Sequence, residues 1–231
     1  MNKQDNSFQA IISDMDGVLV DTEPIIFKAF RKVFAAVQVH LDEPYLHRLV
    51  GDSTEKNLAD IQRDFNITLD VAEVKDQIYR EYVLHLQKEP VPVRRPTVRF
   101  LRQAKENGLQ IGLCTSSKKE IVRMVLGSLD QQQVFPVSAW QWFNSVITGS
   151  DVEHKKPHPE PYQTSVQRLS ATAERCLVLE DSAAGIESAV SAGCRCVALK
   201  ASYNGHMDFS KAHWVMDDLD EQVLFRLEPG L

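Results

Sequence analysis

Asp14 and Asp16 stand two residues apart, directly after the apolar run Gln9-Ala10-Ile11-Ile12-Ser13 and directly before Gly17. The run has the length and composition of a strand, and Asp16-Gly17 is a turn signal. Residues two apart on a strand face the same way, so both carboxylates can leave one side of a sheet edge. Two such charges ~4 Å apart repel by roughly 4 kcal/mol at an effective dielectric of 20. The pair therefore requires a cation, a shared proton or open solvent. Three further clusters lie at or after strand-like runs: Thr115-Ser116-Ser117, Lys155-Lys156-Pro157 and Glu180-Asp181. In a parallel sheet the carboxyl ends share one edge, where open α/β folds bind ligands. Together they offer carboxylates, hydroxyls and ammonium groups, an inventory that suits a phosphate held beside Mg²⁺. Each cluster alone has a plainer use. Thr115-Ser116-Ser117 and Glu180-Asp181-Ser182 are good helix starts, and Lys156 fits a solvated loop. Their occurrence at successive strand ends favours a site.

The elements that must position these groups follow from periodicity. Pro24 suits a first helical turn, and Ile25, Ile26, Ala29, Phe30, Val33, Phe34 and Val37 continue it at helical spacing. Asp42-Glu43-Pro44 opens a short helix through about Val50, and Gly51 ends it. Asp52-Ser53-Thr54-Glu55 has capping-box form ahead of the stripe Leu58, Ile61, Phe65. Val71, Val74, Ile78, Tyr82 and Leu86 predict a longer helix, so residues from about 24 to 88 read as wholly helical. The Pro-rich stretch Glu89 to Pro96 reads as a linker. Beyond it, strands at Leu109 to Cys114, Ser145 to Thr148, Cys176 to Leu179, Arg195 to Leu199 and His213 to Met216 alternate with helices, and a short terminal helix closes the chain. That alternation predicts a parallel sheet with right-handed crossovers. The fold class is thus α/β, with an all-helical insert between the first strand and the rest.

The 231 residues are 43% hydrophobic and 25% charged, an ordinary globular composition. Net charge is −6 and no Lys/Arg block occurs, which argues against nucleic acid and anionic membrane partners. The polar start Met1 to Ser7 and the lack of an apolar run of ~18 residues predict a cytoplasmic protein. Cys114, Cys176, Cys194 and Cys196 lack zinc-type spacing and read as small buried hydrophobes.

The four clusters, in this order and spacing, resemble the motifs of the haloacid dehalogenase-like (HAD) phosphohydrolases, specifically the branch of beta-phosphoglucomutases and sugar-phosphate phosphatases. Asp14-Met15-Asp16-Gly17-Val18-Leu19-Val20-Asp21-Thr22-Glu23 looks like the first motif and Thr115-Ser116 like the second. Lys156-Pro157 looks like the third and Glu180-Asp181-Ser182-Ala183-Ala184-Gly185-Ile186-Glu187 like the fourth. The resemblance implies a Rossmann-like core (1–22 and 92–231) with an inserted helical cap (23–91). It implies Asp14 as nucleophile, Asp16 as acid and base, and Thr115 and Lys156 on the phosphoryl oxygens. It also implies Mg²⁺ on Asp14, Asp16 and Asp181, with Glu180 at or just behind the ligand shell. Gly17, Ser116, Glu23, Thr54 and Lys56 would lie along the substrate, a small phosphorylated metabolite. A monomer or weak homodimer is expected.

The expected activity is phosphomonoester hydrolysis, with phosphosugar mutase and a non-catalytic binding protein as alternatives. Beta-phosphoglucomutases carry a His early in the first cap helix and an Arg at the start of a later one; those positions fall on Ile26 and Thr54 here. Two other departures stand out. Arg95-Pro96 replaces the usual Pro-Gly at the return from the cap, where Arg94 and Arg95 are candidates for stabilising closure. The aromatic loop from about Asp130 to Asn144 reads as a surface hairpin, a core-covering flap or a dimer contact.

Overall fold

The apolar run before Asp14 forms β1 (Ala10–Ser13), whose residues are all buried. In the computed structural model, which describes residues 8–219, β1 lies inside a six-stranded parallel sheet. With β2 (Gln110–Cys114), β3 (Ser145–Ile147), β4 (Cys176–Glu180), β5 (Arg195–Leu199) and β6 (Trp214–Met216), the order is β3-β2-β1-β4-β5-β6. Ser13 is in register with Leu113 on one side and Leu179 on the other, so the ends of β1, β2 and β4 lie level. Their chemical groups consequently emerge side by side.

Helices cover both faces, which is why β1 and β4 are apolar throughout rather than alternating. One face packs Ile11, Leu177, Leu179 and Val197 under α5 (Arg95–Glu106) and α6 (Lys119–Gln131). The other packs Ile12, Val178 and Cys196 under α8 (Glu160–Arg168) and α9 (Ala183–Ser191). All four cysteines are buried with free thiols.

Between β1 and α5 stand α1 (Glu23–Ala35), α2 (Glu43–Leu49), α3 (Thr54–Phe65) and α4 (Val71–Lys88). They bury an apolar cluster of their own, built from Phe27, Phe30, Phe34, Leu46, Leu58, Ile61 and Ile78. The chain enters and leaves this insert through adjacent segments. Val20 and Val93 form an antiparallel bridge, Asp21 N donates to Pro92 O (2.9 Å), and Arg94 N donates to Leu19 O (3.0 Å). Among the described residues no helix is long and apolar enough to cross a membrane.

Three sequence expectations need correction. The start of α3 is not a reciprocal capping box. Ser53 is the N-cap and accepts from Lys56 N (3.2 Å), so the third helical residue is a lysine with no carboxylate to reach back. Second, α5 begins at Arg95, inside the stretch read as a linker, because Pro96 falls in the first turn, where a missing N–H costs nothing. Third, the strand expected at His213 to Met216 begins at Trp214. The aromatic loop is a core-covering flap. Its short helix α7 (Ala139–Trp142) lays Trp142 against Phe135 with centroids 4.2 Å apart, and both are buried. The expected terminal helix lies outside the described residues.

Candidate functional site

The aligned strand ends place one buried ammonium among carboxylates. Lys156 comes from the loop after β3, and its side chain is 6% exposed. Its Nζ donates to Asp14 Oδ1 (2.6 Å), Glu180 Oε1 (2.6 Å) and Cys114 O (2.9 Å). Three donors meet three acceptors. The same nitrogen lies 4.8 Å from the centroid of the Tyr162 ring, whose hydroxyl donates to Glu180 Oε1 (2.7 Å). Asp14 itself is fixed by its backbone N–H donating to Leu179 O across the sheet (2.9 Å).

Asp16 has a different environment. Its Oδ1 accepts from Thr22 Oγ1 (2.7 Å), and its Oδ2 from Ser117 Oγ (2.9 Å) and Thr115 Oγ1 (3.3 Å). Thr115 Oγ1 also accepts from Ser117 N (3.0 Å), so these hydroxyls form a network around Asp16 instead of starting α6, whose N-cap is Lys118. Gly17 then turns with φ +75°, and a Cβ there would sit 1.8 Å from Asp181 Oδ2. Only glycine allows that approach. Arg94 Nη1 donates to Gly17 O (2.9 Å), bracing this turn from the segment that leaves the insert. Arg95, beside it, is exposed. Arg94→Ala is therefore expected to cost about 1–2 kcal/mol in urea unfolding, and Arg95→Ala less than about 0.5 kcal/mol. Equal effects of the two would remove Arg94 from the bracing role.

At the end of β4 the two acids divide. Glu180 turns inward and is fully buried; its Oε2 accepts from Asp181 N (3.0 Å), Ser182 N (3.2 Å) and Ser182 Oγ (3.0 Å). A Cβ at Gly185 would meet Glu180 Oε1 at 1.8 Å, so glycine makes room for this carboxylate. Asp181 is anchored through its carbonyl, which accepts from the buried Asn204 amide (3.0 Å). Carboxylate oxygens of Asp14, Glu180 and Asp181 all lie within 4.8 Å of one another. Burial, with Glu180 and Asp16 opposing the pull of Lys156, pushes the Asp14 carboxyl up to about 8. Burial, Glu180 and Asp14 push Asp181 well above the carboxylate range. Despite its burial, Glu180 is held low by Lys156 and its hydrogen bonds. One ammonium cannot neutralise three clustered carboxylates. An all-oxygen set of this kind fits a hard divalent cation such as Mg²⁺.

The remaining sequence-predicted residues are partly brought here. A cavity of about 530 Å³ runs between insert and core, lined by Ile26, Thr54, Lys75, Tyr79 and Tyr82 on one side and Ser116, Ser117 and Lys118 on the other. Glu23 and Thr54 line a smaller adjoining cavity of about 130 Å³. Burial, followed by Asp16 and Asp21, pushes the Glu23 carboxyl up to about 8. Lys56 is not brought to either cavity; it is exposed and paired with Asp52 (2.5 Å). Lys75 and Lys118 are the cleft's lysines. Thr22 and Ser117 stand in or beside the sequence motifs without a role of their own there, and Tyr162 and Asn204 are not marked by any motif. Ser117 adjoins Thr115-Ser116, whereas Tyr162 lies inside a helix and Asn204 in a loop.

Residues 11–199 match the profile of the haloacid dehalogenase-like hydrolases. The chain is 31% identical over 188 residues to the phosphorylated carbohydrates phosphatase of Thermotoga maritima, covering 80% of this chain and 82% of that one. It is 30% identical over 221 residues to protein CbbY of Rhodobacter capsulatus, covering 91% and 93% respectively. Among solved structures, beta-phosphoglucomutase from Clostridium difficile superposes with a TM-score of 0.70 at 26% identity, over 95% of this chain and 94% of that one. With its motif groups gathered on one sheet edge, the chain belongs to the haloacid dehalogenase-like hydrolase family.

Proposed function

We propose that this chain is a Mg²⁺-dependent phosphomonoesterase that hydrolyses a small phosphorylated sugar through an aspartyl-phosphate. The observation that carries the reading is the separation of the two aspartates: Asp14 on the Lys156 ammonium, Asp16 on the hydroxyls of Thr22, Thr115 and Ser117. Different surroundings give two carboxylates different roles. Lys156 occupies Asp14 Oδ1 and leaves Oδ2 for attack on phosphorus. As the P–O ester bond breaks, the Asp16 carboxyl passes its proton to the leaving alkoxide. Asp16 then takes a proton from water, whose oxygen attacks the same phosphorus. The bond to Asp14 breaks, phosphate leaves, and both carboxyls are restored. Thr115 offers its hydroxyl to the phosphoryl oxygens, and the Lys156 ammonium offsets their charge. Asp14, Asp181 and the Asp16 carbonyl would hold Mg²⁺, with Glu180 behind them, and the ion would offset charge on the phosphoryl group.

Residues 23–91 act as a cap over the core (1–22 and 92–231), and closure excludes water from the cleft. The cap favours hydrolysis over mutase chemistry. Ile26 and Thr54 line the cleft at the positions where the mutases carry His and Arg. Ile26 cannot hydrogen-bond Asp16 and gate it, and Thr54 cannot grip a distal phosphate with a guanidinium fork. The phosphoenzyme is then open to water. A panel of hexose and pentose phosphates tests this directly. Net phosphate release is expected, with negligible interconversion of beta-glucose 1-phosphate and 6-phosphate. Interconversion faster than hydrolysis would overturn the assignment.

A further inference from the structure

The loop that delivers Lys156 also carries a second cluster of donors, turned to the outside. Its sequence is Glu153-His154-Lys155-Lys156-Pro157-His158-Pro159-Glu160-Pro161, with Lys156 pointing inward between two exposed histidines. The imidazoles of His154 and His158 lie with centroids 4.5 Å apart and planes inclined by 32°. One ligand atom from each of His154, His158 and Glu160 lies within 4.8 Å of the other two. His154 Nδ1 is 2.9 Å from Glu160 Oε2, and His158 Nδ1 is 4.0 Å from the same oxygen. Bonds of about 2.0–2.2 Å from zinc to nitrogen and oxygen need donors a little over 3 Å apart. Small side-chain rotations suffice.

We propose that His154, His158 and Glu160 form a binding site for a zinc-class divalent cation, distinct from the acidic site around Asp14. Three features support it. The Glu160 carboxylate is aimed before any ion arrives, since Oε1 accepts from Glu153 N (2.8 Å) and Oε2 from His154 N (2.9 Å). Outer hydrogen bonds of this kind orient metal ligands. Glu160 N donates to His158 Nδ1 (3.2 Å), which holds that imidazole beside the carboxylate. Prolines at 157, 159 and 161 restrict the backbone between and beyond the ligands, which lowers the entropy lost on binding. Two imidazoles and one carboxylate select zinc, cobalt or nickel over magnesium. The fourth tetrahedral position stays open. An ion here replaces the proton between His154 and Glu160 and links the loop across both sides of Lys156.

The experiment uses the full chain in saturating Mg²⁺, which keeps the oxygen-lined site out of the reading. Zn²⁺ is titrated by calorimetry, and Co²⁺ by its visible d–d absorption, which reports nitrogen ligands. One ion per chain is expected. The double variant His154→Ala/His158→Ala should weaken binding by about 100-fold or more, beyond the loss from an outer hydrogen bond, and Glu160→Gln by about tenfold. Asp181→Asn should leave the Co²⁺ spectrum unchanged. Thermal melts of the metal-free variants check folding, and single His154→Gln and His158→Gln variants replace the double one if it unfolds. No binding in the wild type would overturn the proposal. So would equal affinity in the histidine variants, or loss of the signal in Asp181→Asn.

Discussion

Replacing Asp14 with Asn is expected to reduce phosphate release from p-nitrophenyl phosphate by about 10⁴-fold or more, the scale seen when a nucleophile is removed from a catalytic unit. The amide is nearly isosteric and keeps an oxygen for Lys156. It has no charge with which to displace an alkoxide from phosphorus. The same substitution should not unfold the protein. Lys156 retains Glu180 at 2.6 Å, so no buried ammonium is stranded. One member of a self-repelling cluster is also neutralised, since burial with Glu180 and Asp16 raises Asp14 to about 8. In chelator the unfolding midpoint is therefore expected to equal or exceed the wild type. A folded Asn variant that retains more than about a tenth of the turnover would take the nucleophile's role from Asp14 and end the aspartyl-phosphate mechanism.

The site was legible in the sequence wherever a group sits at the end of an apolar strand. Asp14, Asp16, Thr115 and Asp181 needed only the strand periods and the rule that parallel strands share an edge. The helical insert was legible for a similar reason, because four amphipathic stretches follow one another without an alternating segment. What stayed hidden depends on distance in three dimensions. Glu180 and Asp181 are adjacent in the chain, yet one faces Lys156 and Tyr162 while the other faces the Gly17 turn. No spacing rule distinguishes them. Arg94 could be placed at the insert's exit but not on the Gly17 carbonyl, 77 residues away in sequence. Lys56 stands two residues after Thr54, and positions two apart on a helix project about 200° apart, onto opposite sides. Asp52, one turn earlier, pairs with it at the surface.

The charge imbalance makes the cation the second place where a large effect is expected. Chelation should abolish phosphate release, and Mg²⁺ should restore it. In Asp181→Ala no concentration of Mg²⁺ should recover more than about a thousandth of the rate, given the several kcal/mol that a metal supplies to phosphoryl charge. Loss of activity alone would not distinguish a missing ligand from a disturbed site, but stability can. A cation that binds only the folded chain raises stability by about 2.7 kcal/mol at a hundred times its dissociation constant. The wild type should show that gain and Asp181→Ala should not. Without metal the order should reverse or close. Burial, Glu180 and Asp14 hold the Asp181 carboxyl far from its ordinary range, so removing it relieves repulsion and leaves the Asn204 contact to its carbonyl intact. Full activity in chelator, or an equal Mg²⁺ gain in the alanine variant, would place the cation elsewhere and leave three buried carboxylates to share one lysine.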